Sequence, residues 1–485
     1  MAVDSDLAGV RALVIGLARE GTAVARYLAL RGASVVATDL KPASEMGAAL
    51  ATLAGLPATY VLGEHPQQLL DGVDVVFVSP GVPSNNPLLV AAQQRALPIS
   101  SETRLFTRLC PAPIVGITGS SGKTTTTALT GEMLRTSGRR TWVGGNIGKP
   151  LLIELGSMAA TDVVVMELSS FQLELTSGTL GDGESLPAHL ARTGLLDRSG
   201  WSPHIAAVLN ITPNHLDRHP NMDAYIAAKA LILSRQGPDD TSVLGWDNPW
   251  TQRLGRETMG RRVLWFSILE EVEEGAFLSQ DRLIQRLSGH DQLICRRGDL
   301  RLLGDHNVAN VLAAATLAAA AGAPIEAIAT AATAFRGVEH RLELAREWNS
   351  IRWYNDSIAT TPERTIAALK AFDAQVILLA GGRDKHLPWA EMAALAWVRV
   401  KHLILFGEAA ALIEREMLRS PASARGACRM HRCQNLECAV DLAASLAAAG
   451  DVVLLSPGGT SFDAYPDFAA RGEHFRQLVK SLEQA

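Results

Sequence analysis

The chain has 485 residues, 47% apolar and 20% charged, with a formal net charge of −5 and a pI near 6.2. That length suggests about three domains, and the balance is that of a soluble globular protein. The acidic charge argues against a general nucleic-acid binder, which would be basic, but allows an anionic small ligand in a locally positive site. The five cysteines (110, 295, 428, 433 and 438) are odd in number and have no histidines at zinc-finger spacing, so free thiols in a reducing, cytoplasmic compartment are expected. The N-terminal MAVDSDLAG lacks the basic-then-apolar pattern of a secretory signal.

Short runs rich in Val, Ile and Leu recur along the chain, each closed by Gly, Asp, Ser or Asn. They are Ala12–Ile15, Ser34–Ala37, Val73–Val78, Ile114–Ile117, Val163–Met166, Ile205–Leu209, Val376–Ala380, His402–Phe406 and Val452–Leu455. Ala-rich helical stretches lie between them. Continuous apolar strands alternating with helices predict parallel sheets covered on both faces. Three such groups predict three α/β domains: 1–110, 111–337 and 338–485, with joints near Cys110–Pro113 and Gly337. Leu244–Gly304 is more charged and less regular, and reads as smaller strands and loops appended to the middle domain. Val311–Phe335, interrupted by Gly322, Pro324 and Glu326, reads as buried helices and not a membrane span.

The first strand runs into Gly16-Leu-Ala-Arg-Glu-Gly21, which resembles GxGxxG with Ala18 at the middle glycine; Asp39 ends the next strand. A nucleotide at the helix N-terminus and a plain strand-to-helix turn both fit. Ser79-Pro-Gly81 ends a third strand on the same carboxyl edge. The stronger signal is Gly116-Ile-Thr-Gly-Ser-Ser-Gly-Lys-Thr-Thr125. Its glycine loop feeds a helix whose free N–H groups and dipole suit a triphosphate. Lys123 is placed for the β- and γ-phosphates and Thr124 for Mg²⁺. The loop departs from the strict pattern in having Ile117 at the first glycine position.

Glu167 ends the strand that begins at Asp162, where a carboxylate suits a second Mg²⁺ contact; a solvated strand-end glutamate is the plainer alternative. His215 is either a metal ligand or structural. Lys229 falls on the apolar stripe Met222, Tyr225, Ile226, Ile232 and Leu233. A lysine facing inward is costly unless paired or neutral. It either snorkels to solvent or is a reactive amine of depressed pKa that CO₂ could carbamylate.

Together these motifs resemble the Mur ligases, the ATP-dependent amino-acid ligases of peptidoglycan precursor synthesis. The resemblance rests on GITGSSGKTT, GGNIG (144–148), ELSSFQL (167–173), LNITPNHLDRH (209–219), AAK (227–229), GDHNVAN (304–310), EHR (339–341), NDS (355–357), GGRDK (381–385) and SPGGTSFD (456–463), in that order. It implies a Rossmann-like N-terminal domain, a central ATP-binding P-loop domain and a Rossmann-like C-terminal domain, closing about a hinge near Gly337. It also implies ATP and Mg²⁺ as cofactors and, in the glutamate-adding branch, UDP-N-acetylmuramoyl-L-alanine and D-glutamate as substrates of a monomeric enzyme.

By the same resemblance Gly119, Ser120, Ser121, Gly122, Lys123, Thr124 and Thr125 would hold the ATP phosphates, and Asn307, Asn310, Arg341 and Asp356 the adenine and ribose side. Thr124, Glu167, His215 and a carbamylated Lys229 would serve Mg²⁺, with Lys123, Glu167, His215 and Lys229 catalytic. Arg19, Glu20, Asp39, Ser79, Gly81, Asn146, Ser169 and His215 would take the uridine-linked sugar. Thr360, Lys385, Ser461 and Phe468 would take glutamate. Ile358 stands where a family lysine is expected, which keeps L-glutamate open as substrate. A folylpolyglutamate synthase-like ligase and a P-loop switch are the other readings. Gly178–Pro203 reads as an insertion without a role.

Overall fold

The computed structural model describes residues 7–176, 190, 195–196, 200–214, 218–258, 261–302, 304–385, 387–420 and 427–482. Three sheets form among them. The first holds β1 (Arg11–Ile15), β2 (Ser34–Asp39), β3 (Ala58–Leu62), β4 (Val75–Val78) and β5 (Ile99–Ser100) in the order β3-β2-β1-β4-β5. Every pairing is parallel. The order reverses at β1, so its carboxyl end opens onto the crevice where ligands bind in such sheets. The Gly16 turn and Ser79 meet at this point: Ser79 Oγ donates to the Gly16 carbonyl at 2.8 Å.

The second sheet holds β6 (Ile114–Thr118), β7 (Thr141–Gly145), β8 (Val163–Glu167), β9 (Ile205–Val208), β10 (Thr241–Gly245), β11 (Arg262–Ser267), β12 (Gly275–Ser279), β13 (Arg282–Leu287) and β14 (His290–Arg296). The order β14-β13-β12-β11-β10-β9-β6-β8-β7 puts β6 at its own reversal point, between β8 and β9. Over 244–304, where smaller strands and loops appended to the middle domain are expected, the strands continue its sheet. β11 and β12 extend the same sheet in parallel, and β13 and β14 complete it by antiparallel pairing. Their alternating or largely exposed residues produce none of the continuous apolar runs that mark the central strands. The alanine-rich region forms two helices, Asp305–Ala320 and Ile325–Ala334, packed against the helix Lys123–Thr136. No helix among the described residues is long and apolar enough to cross a membrane.

The third sheet holds β15 (Glu343–Trp348), β16 (Ile351–Asn355), β17 (Val376–Gly381), β18 (Val400–Phe406), β19 (Arg429–Arg432) and β20 (Val452–Gly458) in the order β15-β16-β20-β17-β18-β19. Only β15 pairs antiparallel. Its central strands are buried along their length, with one apolar cluster around Leu378, Met392 and Leu454 and another around Ile377, Trp353 and Phe475. The chain divides into two compact units, Met1–Leu300 with Asp305–Ala334, and Arg301–Gly304 with Phe335–Ala485. The first two sheets belong to the former and the third to the latter.

Candidate active site

In the first unit the site is built on the loop between β6 and the helix Lys123–Thr136. Gly122 caps that helix at φ +80°, a region only glycine enters freely. A Cβ there would meet Asn310 Oδ1. The loop is held from β9's side: Ser120 N donates to the Asn210 carbonyl at 2.9 Å, and Ser121 N to Asn210 Oδ1 at 3.0 Å. Ser120 Oγ lies 3.1 Å from Tyr225 OH. Asn310 packs against the same loop, taking Thr126 Oγ1 at 3.4 Å and reaching Asn307 Oδ1 at 3.1 Å. The backbone N–H groups of a glycine loop opening a helix form a concave anion site.

Two ammonium groups share this loop. Lys123 Nζ and Lys229 Nζ each donate to the Gly119 carbonyl at 2.9 Å. Lys229, on the helix Met222–Ala230, is only 2% exposed, so it does not snorkel to solvent. Its Nζ sits 4.7 Å from the centre of the Tyr225 ring. Burial pushes its pKa down to about 7, the Lys123 charge helps, and Glu167 opposes. Glu167 is buried at the end of β8; its Oε1 accepts Asn146 Nδ2 at 2.8 Å, and its Oε2 has no partner. Glu167 is thus near enough to act on the Lys229 charge, and Thr124 lies in the first turn of the loop helix. His215, the remaining expected ligand, lies outside the described residues, as does most of Gly178–Pro203.

Asn146, the partner of Glu167, also meets Arg19 at the end of the first sheet's glycine turn: Arg19 Nη2 donates to its carbonyl at 3.4 Å. Arg19 Nη1 donates to the Gly148 carbonyl at 2.6 Å, just beyond Asn146. Gln172, in the helix Ser170–Thr176, accepts Ser169 N at 2.9 Å and Ser169 Oγ at 3.0 Å. Its amide nitrogen donates to Glu20 Oε1 at 2.9 Å. The polar run Ser169–Gln172 reads in the sequence as a loop able to touch substrate, but the link from Gln172 to Glu20 is not visible there, and Asn210 carries no assigned role although it falls inside a quoted motif. A polar residue one helical turn from Ser169 was the available signal. Asp39 lines the cavity beside the first glycine turn and also holds that turn. Its two oxygens take Leu17 N at 2.7 Å and Lys41 N at 3.0 Å and so fix the glycine turn. A cavity of about 830 Å³ opens beside Leu17, Arg19, Asp39, Lys41 and Pro150. A second, of about 610 Å³, opens beside Ser79, Phe171 and Arg218. Glu20 and Glu102 are buried carboxyls: burial raises Glu20 to about 7 and, with the help of Glu20, Glu102 to about 8.

In the second unit, Asp356 follows β16 and is buried; burial raises it to about 7. It accepts Leu342 N at 3.2 Å and Ser456 Oγ at 2.8 Å. Arg341 is near enough to lower it. Lys385 Nζ lies 3.4 Å from Thr360 Oγ1. Ser461 is buried, whereas Phe468 is partly exposed at the start of the helix Phe468–Ser481. The fully buried Arg471 ties these turns together by donating to the Ser357 and Gly459 carbonyls. Ile358 brings no charge, but Arg364 Nη1 donates to its carbonyl at 3.0 Å, so a guanidinium stands beside that position.

Comparison with known proteins then decides the family. Residues 10–101 match the MurD-like N-terminal domain of Mur ligases, 117–181 and 188–318 the Mur ligase middle domain, and 340–459 the Mur ligase glutamate ligase domain. The chain belongs to the Mur ligase family. Among its relatives, UDP-N-acetylmuramoylalanine--D-glutamate ligase of Symbiobacterium thermophilum is 42% identical over 97% of this chain and 98% of its own. The protein of the same name from Roseiflexus sp. is 41% identical over 98% and 99%. UDP-N-acetylmuramate-alanine ligase MurC from Thermotoga maritima shares the fold at a TM-score of 0.56 and 19% identity, over 98% of this chain and 100% of its own. A pseudomurein peptide ligase type C from Methanothermus fervidus does so at 0.51 and 17%, over 98% and 100%. This Mur ligase thus carries its phosphate loop, Glu167 and Lys229 in one unit, and Arg341, Asp356, Thr360, Lys385, Ser461 and Phe468 in the other.

Proposed function

We propose that this Mur ligase joins D-glutamate to UDP-N-acetylmuramoyl-L-alanine with ATP, in peptidoglycan precursor synthesis. The observation that carries the reading is likeness over nearly the whole chain to relatives bearing that activity as their name. The match of residues 10–101 to the MurD-like N-terminal domain favours it over a folylpolyglutamate synthase-like ligase. The substrates are ATP and a uridine nucleotide, so the work belongs in the cytoplasm. Every group assigned here lies on one chain, and we take the working unit to be a monomer.

The phosphate loop Gly119–Thr125 holds the ATP phosphates, and Lys123 follows the γ-phosphate. The residues present fit a divalent cation: Glu167 Oε2 is buried without a partner, and Thr124 opens the loop helix. Lys229, as a carbamate, and the phosphate oxygens of ATP would be the further ligands of such a cation. Bound there, Mg²⁺ neutralises charge on the transferred phosphoryl group.

The substrate's alanyl carboxylate attacks the γ-phosphorus, the bond to ADP breaks, and an acyl phosphate forms. Arg19, Glu20, Ser79, Gly81, Asn146, Ser169 and Gln172 orient the nucleotide-sugar for that attack. Asn307, Asn310, Arg341 and Asp356 hold the nucleoside side of ATP. Thr360, Lys385, Ser461 and Phe468 hold the amino acid, whose amine attacks the acyl carbon; phosphate leaves and the amine proton is lost. Lys123 stabilises the oxyanion of the tetrahedral intermediate. Water must be excluded throughout, because the acyl phosphate hydrolyses.

The test uses substrate labelled with ¹⁸O in the alanyl carboxylate. An acyl phosphate requires one labelled oxygen to appear in the released phosphate; unlabelled phosphate alongside amide product would rule it out.

A further inference from the structure

The turn between β20 and the helix Phe468–Ser481 carries Ser461 near its start and leads into Phe468, two residues assigned above to the incoming amino acid. Its backbone closes on itself: Ala464 N and Tyr465 N both donate to the Ser461 carbonyl, at 3.1 and 2.8 Å. Asp467 Oδ1 accepts Ala470 N at 2.7 Å and caps the helix. One flank of the turn is tied by Arg471, whose Nη1 donates to the Gly459 carbonyl at 3.2 Å, and by Ser357, whose Oγ donates to the Phe468 carbonyl at 2.8 Å. The other flank is tied by side chains that the ligation chemistry does not use. Tyr465 OH lies 2.7 Å from His474 Nδ1, and His474 Nε2 lies 3.4 Å from Glu437 Oε1. Tyr465 belongs to the turn, His474 to the helix Phe468–Ser481 and Glu437 to the first turn of the helix Leu436–Leu446. Beside His474, Phe475 is fully buried in the sheet's apolar cluster, and Tyr465 packs against that cluster.

Burial and the Glu437 charge push the Tyr465 hydroxyl up to about 12, with Arg471 opposing and Asp463 adding. The hydroxyl therefore keeps its proton and donates. With Nδ1 accepting, the imidazole proton sits on Nε2, facing the Glu437 carboxylate. The bonds then run in one direction, Tyr465 to His474 to Glu437, and members of such a chain strengthen one another. We propose that His474 is a positioning residue for the amino-acid substrate: steadied by Glu437, it holds Tyr465 and so fixes the span from Ser461 to Phe468 that grips the amino acid. The proposal rests on the assignment of Ser461 and Phe468 to that substrate. A turn ordered in advance spares the ligand the cost of ordering it, so losing the relay is felt in amino-acid binding. Asp356 has its own bonds to Leu342 N and Ser456 Oγ, so the nucleoside side of ATP does not depend on the relay.

The experiment uses the full chain and three variants. Tyr465→Phe removes the hydroxyl and keeps the ring, His474→Phe removes both nitrogens, and His474→Asn keeps an acceptor near the Nδ1 position. In the two phenylalanine variants KM for D-glutamate should rise about five- to tenfold, while kcat and the KM values for ATP and the uridine-linked substrate stay within about twofold. Combining them should cost no more than either alone, because both remove the same bond. His474→Asn should recover most of the loss. Without any substrate, hydrogen exchange at the Ala464 and Tyr465 amides should quicken about five- to tenfold in both phenylalanine variants. Additive KM rises in the double variant, equal rises in all three KM values, or unchanged exchange in the turn would overturn the proposal. Wild type that ligates D-glutamate while the variants keep its KM would overturn this proposal alone. Wild type that ligates no amino acid would overturn the substrate assignment beneath it, and the proposal with it, whatever the exchange shows.

Discussion

Lys229 and Lys123 place their ammonium nitrogens on one acceptor, the Gly119 carbonyl, each at 2.9 Å. Burial of Lys229, aided by the Lys123 charge and opposed by Glu167, lowers its pKa to about 7. A large fraction of its amine is then neutral near pH 7, the form that adds to CO₂. Protein incubated with ¹³C-bicarbonate should give a carbamate carbon signal that is missing from Lys229→Arg. The variant should ligate at least about a hundredfold more slowly, the usual order for losing a group that stabilises transferred charge. A labelled carbamate in Lys229→Arg would place the modification elsewhere.

The same burial has a stability consequence. An unfolded lysine titrates near 10.5, so between about 7 and that value the unfolded chain binds more protons and wild-type stability rises with pH. The penalty is fully present below pH 7. Lys229→Met in CO₂-free buffer should therefore be inactive yet more stable at pH 7, by on the order of a few kcal/mol, with the advantage shrinking toward pH 10. Denaturant titration at several pH values measures this. An advantage independent of pH would mean that the lysine is not buried as a neutral amine.

Glu102 behaves with the opposite sign. Its carboxyl titrates near 8 when folded, against 4.5 as its ordinary value. Between those values the folded state binds more protons, so stability falls as pH rises, and the penalty is complete above pH 8. Glu102→Gln keeps an oxygen for Leu152 N, which the carboxylate accepts at 3.1 Å. The variant should melt several degrees higher than wild type at pH 8.5 and within about a degree of it at pH 4.5.

Gln172 links the helix that opens after the Gly16 turn to the turn after Glu167, through Glu20 and Ser169. Gln172→Ala leaves Glu20 buried with neither oxygen satisfied, a loss of about 1–3 kcal/mol. Its KM for the uridine-linked substrate should rise at least about tenfold, with a smaller change in KM for ATP. An equal rise in both would point to general loosening of the first unit.

Much of this was legible before the structure. Strands such as Val163–Glu167 and Val452–Gly458 announce themselves because they are buried on both faces. β3 and β13 do not, since edge or half-exposed strands carry no continuous apolar run. Lys229 could be flagged by its place on an apolar stripe, but whether it turned outward depended on the packing of Tyr225 and the phosphate loop. Asp39 is expected at the nucleotide-sugar site, and the structure adds a second task, since its oxygens also accept Leu17 N and Lys41 N. Gln172 gained meaning only when Glu20, 152 positions earlier, came within 2.9 Å. Such pairings come from tertiary contact and leave no trace in local pattern.

Gly122 gives a sharp test of the loop. At φ +80° an alanine is strained by about 1–2 kcal/mol, and its Cβ would also strike Asn310 Oδ1. Gly122→Ala should weaken ATP binding at least about tenfold. Adding Asn310→Ala should relieve the clash but not the strain, so recovery should be partial. Full recovery would show that the left-handed turn is not needed.

The most direct test follows phosphate release and amide formation from ATP, Mg²⁺ and UDP-N-acetylmuramoyl-L-alanine, in parallel with D-glutamate, L-glutamate and no amino acid. The account predicts stoichiometric phosphate and amide with D-glutamate alone. Amide with L-glutamate alone would keep the mechanism and overturn the stereochemistry, with Ile358 and Arg364 the first positions to exchange. Equal phosphate release in all three reactions, without amide, would contradict the ligase reading itself.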